Sequence, residues 1–159
     1  VQQRAPGQIR IGRQALTVLQ RVLSAAAPEE GCALLLGEQG AGGDGGGEGH
    51  GDPWRLRWIW PCRNVWEPPD ERTRRFAIDP REQLLAQKWA RSRGLLVLGT
   101  AHSHPTAAPV PSATDLALGF GPTLVLILGT GLELACWWLP DPTVPGSGEA
   151  RPLPWTMEA

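Results

Sequence analysis

Apolar residues along this chain fall into three patterns: helical spacing, strict alternation and short unbroken runs. In RQALTVLQRVLSAAA (13–27), Leu16, Leu19, Leu23 and Ala26 recur at intervals of three and four, one face of an amphipathic helix that Pro28 stops. CALLLG (32–37) is a short apolar run between glycines and predicts a buried strand. In WRLRWIW (54–60), Trp54, Leu56, Trp58 and Trp60 share one face of an extended chain, and Arg55, Arg57 and Ile59 the other, as in a half-buried strand. RRFAI (74–78) is a second strand candidate. Asp79, Pro80 and Glu82 fit the N-cap, first helical position and capping-box partner of a helix. That helix turns Leu84, Leu85 and Trp89 inward and ends near Gly94. LLVLGTAH (95–102) reads as another buried strand, and Ser112 to about Leu118 as a short helix.

LALGFGPTLVLILGTGLELACWWL (116–139) has the length of a membrane span, but Gly119, Gly121 and Pro122 break its start, GTG at 129–131 is a turn signal, and Glu133 would lie in lipid. Two buried strands joined by a tight glycine hairpin fit it better. Beyond Pro140 the chain is rich in Pro and Gly and is expected to be coil, so residues 1–140 are read as the domain and 141–159 as a tail. No internal repeat is visible. The alternation of helices and strands predicts an α/β (α+β) domain, a mixed β-sheet flanked by helices.

EQGAGGDGGGEGHGDP (38–53) is too glycine-rich to offset the entropy of ordering and reads as a flexible loop. Its formal GxGxxG at Gly40, Gly42 and Gly45 is not followed by the helix that dinucleotide binding requires. The 159 residues are enough for one domain with a core of its own. A formal net charge of −1 gives no reason to expect a polyanion such as nucleic acid. Arg72, Arg74 and Arg75 cluster, but Asp70 and Glu71 beside them make a solvated face. Cys32, Cys62 and Cys136 lie far apart without a CxxC pair, which excludes a cysteine zinc knuckle and a dense disulfide framework. Buried thiols in a reducing cytoplasm are the preferred reading, although one disulfide remains open. The first residues carry no secretory signal pattern, and the expected location is cytoplasmic.

The chemistry concentrates at TAHSHPTAAPVPSATDL (100–116). The chain has three histidines, and two of them, His102 and His104, stand one residue apart. Side chains at i and i+2 of an extended segment point the same way, so both imidazoles can aim at one point. Asp115, in the first turn of the following helix, can supply a third ligand once the loop folds back. Two neutral imidazoles and a carboxylate leave a fourth tetrahedral position for water, the arrangement of a catalytic rather than a structural zinc site. The positive charge of such a site pulls the water pKa towards ~7. Each piece has an ordinary explanation when taken alone, since H-x-H is common surface polarity and Ser112-x-x-Asp115 is a usual helix start. Strand, H-x-H-P, loop and P-S-x-x-D in that order make a far more specific pattern.

HSHPTAAPVPSATD resembles the signature of the JAMM (MPN-plus) metalloproteases: H-x-H-P, ten residues between the second His and the Asp, and a Ser three before that Asp. PEEGCALLLG (28–37) is similar to the bacterial form P-x-E-x-C-G-L-L-L-G, which selects Glu30 over Glu29, with Ala33 standing where a Gly is usual. RRFAIDP (74–80), with Asn64 upstream, also resembles the bacterial branch. The resemblance spans roughly residues 10–140. It implies a mixed sheet flanked by helices, like that of cytidine deaminases. It further implies that His102, His104 and Asp115 hold Zn²⁺ and that Glu30 is the general acid–base. Ser112 would be the oxyanion donor, a role that competes with helix capping unless its oxygen is shared. Cys32 matches a family position, but no third His is left to activate it as a nucleophile.

The implied substrate is the C-terminus of a ubiquitin-like protein, of the sulfur-carrier type in the short bacterial members, cut at a peptide or isopeptide bond. An extended tail would be recognised by strand addition. Two other readings compete: a non-catalytic MPN-type scaffold, against which the retention of all four site positions weighs, and a RadC-like DNA-associated protein, which the near-neutral charge disfavours.

Overall fold

The computed structural model describes residues 4–40, 51–119 and 121–159; most of the glycine-rich segment, with His50, Gly42 and Gly45, lies outside them. In chain order the elements are β1 (Ile9–Gly12), α1 (Arg13–Ala25), β2 (Cys32–Glu38), β3 (Trp54–Cys62), a 3-10 turn (Pro69–Glu71) and α2 (Pro80–Arg91). They continue with β4 (Leu96–Ser103), α3 (Ala113–Ala117), β5 (Thr123–Leu128), β6 (Leu134–Leu139), β7 (Arg151–Leu153) and β8 (Trp155–Glu158). Among the described residues, eight strands form one mixed sheet in the order β7-β6-β5-β4-β2-β3-β1-β8. β4 runs parallel to β5 and antiparallel to β2. The α+β mixed sheet read from the pattern of elements is therefore the architecture found, and β5 pairs with β6 in the expected antiparallel hairpin.

The two longer helices, α1 and α2, lie on opposite faces of the sheet. Ala15, Leu19 and Leu23 of α1 pack with Ile9, Ile11, Leu35, Trp54, Leu56, Leu98, Leu124, Leu126, Leu128 and Leu153. Ala86 and Ala90 of α2 pack on Leu34, Leu36 and Leu95. Alternate residues of β2 thus enter different cores, which is why CALLLG has no polar face: a strand covered on both sides needs none.

Two expectations fail for reasons that lie in the packing. Trp54 and Leu56 face α1, whereas Trp60 and Trp58 face α2. The register slips between Leu36 and Gly37, with Leu36 opposite Trp58 and Gly37 opposite Leu56. Arg57 is the extra residue of a β-bulge, and a bulge reverses the alternation beyond it. A Cβ at Gly37 would overlap the Arg55 carbonyl, so the bulge needs a glycine there. Secondly, Leu84 and Leu85 are exposed while Ala86 and Ala90 are buried. The space between α2 and the sheet is filled by Trp89, edge-on to Trp58 and Trp60 at centroid distances of 5.8 and 6.0 Å, and small residues let the helix approach over them. Asp79 caps α2 through the Arg81 N–H, but Glu82 accepts from Trp60 Nε1 at 2.7 Å rather than closing a capping box.

The segment beyond Pro140 is not all coil. β7 extends the sheet beside β6, and β8, one residue further on, pairs with β1 at the opposite edge. Strands separated by Pro154 alone can occupy both ends of the sheet only if it curls round α1 until its edges meet. Ile9 N donates to Pro154 O, and Trp155 Nε1 to Leu134 O, across that junction. Closure of this kind protects sheet edges that would otherwise stay open. RRFAI also differs from expectation, forming no strand. The Ala77 N–H and the Arg75 carbonyl bond the Asn64 side chain instead of a neighbouring strand.

Candidate metal centre

The centre lies where β4 leaves the sheet. β2 and β5 flank β4 on both sides, His102 being opposite Cys32 and Ile127, so the strand end is held rigidly. His104 continues the extended path, its N–H donating to Leu128 O at 2.8 Å. The two imidazoles therefore share a side as the i, i+2 spacing requires, with Nε2 atoms 3.1 Å apart. Between them Ser103 turns the other way: it accepts from Gly31 N at 2.8 Å and donates to Leu23 O. A Cβ at Gly31 would lie 2.6 Å from the Leu23 carbonyl oxygen, so glycine lets the segment after Glu30 press against α1.

Asp115 arrives from α3 on a capping box: Ser112 Oγ accepts from Asp115 N at 3.0 Å, and Asp115 Oδ2 accepts from Ser112 N at 2.8 Å. The same Oδ2 stands 3.2 Å from His102 Nε2 and 3.3 Å from His104 Nε2. The helix start read as a bland alternative is thus the device that aims the carboxylate. It also resolves the competition over Ser112, because capping uses an oxygen lone pair and leaves the hydroxyl hydrogen to donate elsewhere.

Glu30 reaches the pair from the opposite direction, just before β2. It is 3 % exposed, and it offers a carboxylate oxygen within 4.8 Å of ligand nitrogens of both histidines. Its backbone is fixed by Glu30 N donating to Arg72 O at 2.7 Å and by Asn64 Nδ2 donating to Glu30 O, while Oε2 is buried without a hydrogen-bond partner.

The electrostatics separate the two acids. Burial raises the Glu30 carboxyl to about 7, with nearby His104 opposing and the Asp115 charge adding to the rise. Burial acts on Asp115 in the same sense, but hydrogen bonds from His102 and His104 overcome it and hold that carboxyl well below the usual range. Burial lowers the pKa of His102. It also acts to lower that of His104, where hydrogen bonds to Asp115 and the Ala108 carbonyl prevail and raise it.

These donors suit a small tetrahedral cation. Ligand bonds of about 2.0–2.1 Å put neighbouring ligand atoms of a tetrahedral zinc roughly 3.3 Å apart, and the two Nε2 atoms and Asp115 Oδ2 are separated by 3.1, 3.2 and 3.3 Å. His104 Nδ1 lies 2.9 Å from the Ala108 carbonyl; a carbonyl only accepts, so Nδ1 carries the hydrogen and the Nε2 of a neutral ring keeps its lone pair for a metal. Of the residues singled out in the sequence, Glu30 and Asp115 each approach both histidines, and Ser112 is bonded to Asp115. Cys32 lies beneath them as buried packing, its thiol pushed up to about 12 by burial, which suits a nucleophile poorly.

Sequence reasoning missed Phe76, whose ring stacks on His102 with centroids 4.4 Å apart, and the bonding of Ser103. It noted Asn64 without a role. Nothing in one sequence marks a phenylalanine as the neighbour of a histidine 26 positions away; the polarity of Ser103 inside an apolar strand end was the one available signal.

The profile described as prokaryotic homologs of the JAB domain matches residues 13–140. The solution structure of a protein from Desulfitobacterium hafniense is similar, with a TM-score of 0.74 at 25% identity over 94% of this chain and 92% of that one. The crystal structure of a JAB1/MPN domain protein from Archaeoglobus fulgidus aligns with a TM-score of 0.49 at 22% identity, covering 94% of this chain and 98% of that one. No curated protein matches the sequence. The chain belongs to the prokaryotic JAB-domain family, which includes metalloproteases as well as non-catalytic members, and it carries a buried histidine–carboxylate group able to hold a metal ion. Among the described residues no helix is long and apolar enough to cross a membrane.

Proposed function

We propose that this chain is a zinc-dependent peptidase of the JAMM type, acting on the C-terminal tail of a ubiquitin-like protein of the sulfur-carrier kind. The observation that carries the reading is the triangle of His102, His104 and Asp115 ligand atoms, whose sides of 3.1, 3.2 and 3.3 Å suit one tetrahedral ion. Zinc held by these three residues would supply Lewis acidity to a water and to the substrate carbonyl. Glu30, whose carboxyl is raised by burial, takes a proton from the attacking water and returns it to the departing amine as general base and then general acid. Ser112 donates its free hydroxyl hydrogen to the carbonyl oxygen as charge develops there.

The histidines are flanked by two irregular segments, Phe76 on one side and the 104–112 loop on the other. The substrate tail would bind in extended form, by strand addition. Free Cys32, Cys62 and Cys136 suit a reducing cytoplasm. The test is metal analysis of the purified chain, followed by incubation with ubiquitin-like sulfur carriers bearing C-terminal extensions and read by intact mass. Stoichiometric zinc and loss of the extension are expected. A chain that takes no zinc and still binds such a partner after Glu30→Gln would be a non-catalytic scaffold instead.

A further inference from the structure

The two histidines are oriented differently. His104 has the usual second contact of a metal-binding imidazole, its Nδ1 hydrogen on the Ala108 carbonyl at 2.9 Å. His102 has none: its Nδ1 is buried without a partner. What lies against its ring instead is Phe76, with ring planes 22° apart and centroids at 4.4 Å. Phe76 belongs to an arm, residues 64–78, whose one regular piece is the 3-10 turn Pro69–Glu71, so something else must order it.

Val65 N on Ala77 O, Arg72 Nε on Trp66 O and Glu30 N on Arg72 O contribute, and the side chain with the most bonds to the arm is Asn64. Its amide donates to Arg75 O at 2.8 Å, to Glu30 O at 3.1 Å and to Arg72 O at 3.4 Å, and its Oδ1 accepts from Trp66 N at 3.1 Å and Ala77 N at 3.2 Å. A side-chain amide has two hydrogens and two oxygen lone pairs, so its capacity is filled, with the longest contact, to Arg72 O, sharing a hydrogen. Two of these bonds go to residues 75 and 77, immediately either side of Phe76, and a third holds the backbone of Glu30. One side chain therefore clamps together the stacking ring and the proposed proton carrier.

We propose that Asn64 and Phe76 are positioning residues of the metal centre: Asn64 fixes the arm, and the arm presses Phe76 against His102 to lock a ligand ring that no hydrogen bond orients. The proposal rests on the metal reading above. Loss of an orienting contact to a ligand weakens metal binding by about 10–100-fold, and that size is expected here. Zinc affinity of the full chain, measured by competition with a chromogenic chelator, should fall by that factor in Phe76→Leu, which keeps bulk but loses the flat ring. Phe76→Tyr, which keeps the ring, should stay within about threefold of wild type. Asn64→Ala should resemble Phe76→Leu, and the double variant should be little weaker than either single one, because both act through the same contact.

A second readout needs no metal. The ring NMR signals of His102 in the metal-free chain should be sharp in wild type and exchange-broadened in Phe76→Leu and Asn64→Ala, with those of His104 unchanged. Thermal unfolding confirms that each variant is folded at the assay temperature. Folded Phe76→Leu and Asn64→Ala proteins with wild-type zinc affinity would overturn the proposal, as would additive losses in the double variant. If the wild-type chain takes up no zinc, the metal reading fails, and the His102 signals alone decide whether Phe76 and Asn64 position the ring.

Discussion

Glu30 and Asp115 are two carboxylates facing the same pair of imidazoles, and the chain treats them in opposite ways. Asp115 sits at the first turn of a helix, tied by a capping box, with its Oδ2 accepting from Ser112 N and lying 3.2 and 3.3 Å from the two imidazole nitrogens. Glu30 follows an exposed turn and is itself buried, with its backbone bonded and one carboxylate oxygen left bare. The first environment rewards a permanent negative charge; the second resists it. Two carboxyl groups facing the same imidazoles are thereby given opposite proton affinities by burial, hydrogen bonding and neighbouring charge, as the proposed roles of ligand and proton carrier require.

The sharpest way to break this comparison is to remove each carboxylate in turn. Glu30→Gln is expected to reduce turnover by at least about 10²–10⁴-fold while zinc content, measured by elemental analysis, stays stoichiometric. Asp115→Ala should lose both, because two remaining imidazoles bind zinc weakly, and His102→Ala should behave like it. Zinc retained in Asp115→Ala and lost in Glu30→Gln would exchange the two assignments.

Ser112 offers a smaller test, because its two functions use different atoms. Ser112→Ala removes the donor and should lower kcat by about 10²–10³-fold. It also removes an N-cap worth about 1 kcal/mol, read as a modest drop in unfolding temperature with zinc retained. Ser112→Asn separates the two: a capping residue that restores stability but places its amide differently should leave kcat low.

The sequence made the site more legible than the fold around it. Local spacing brings the proposed ligands together: i, i+2 on a strand juxtaposes His102 and His104, and a helix start juxtaposes Ser112 and Asp115. Glu30 was singled out through the resemblance of its flanking run, since nothing in spacing connects it to His102, 72 positions away. What stayed hidden depends on contacts between distant segments. The bulge at Arg57 reverses the faces of Trp58 and Trp60, and no alternation rule foresees an inserted residue. The outward turn of Leu84 and Leu85 goes with Trp60 and Trp89 filling the layer beneath α2, with Trp58 at its exposed rim. Pro-rich composition suggested coil beyond Pro140, yet a strand may contain Pro at a sheet edge, and Pro152 lies in β7, the edge strand.

The smallest effect is the most direct measure of the contrast between the two acids, and it needs no substrate. In the metal-free chain Glu30 titrates near 7 when folded, against 4.5 for the ordinary group. The folded state therefore binds the Glu30 proton more tightly than the unfolded state, and this residue's contribution to stability falls as pH rises from 4.5 to 7. Asp115 has the opposite sign: its depressed carboxyl contributes stability above 3.8 that is lost as pH falls further. Glu30→Gln removes the first slope and leaves the second. Metal-free Glu30→Gln should thus be more stable than wild type above pH 7, by roughly 1–3 kcal/mol for relieving a buried charge, with the gain vanishing below pH 4.5. Chemical denaturation at a series of pH values measures it. A gain that does not change with pH would mean that Glu30 is not desolvated, and the contrast with Asp115 would lose its physical cause.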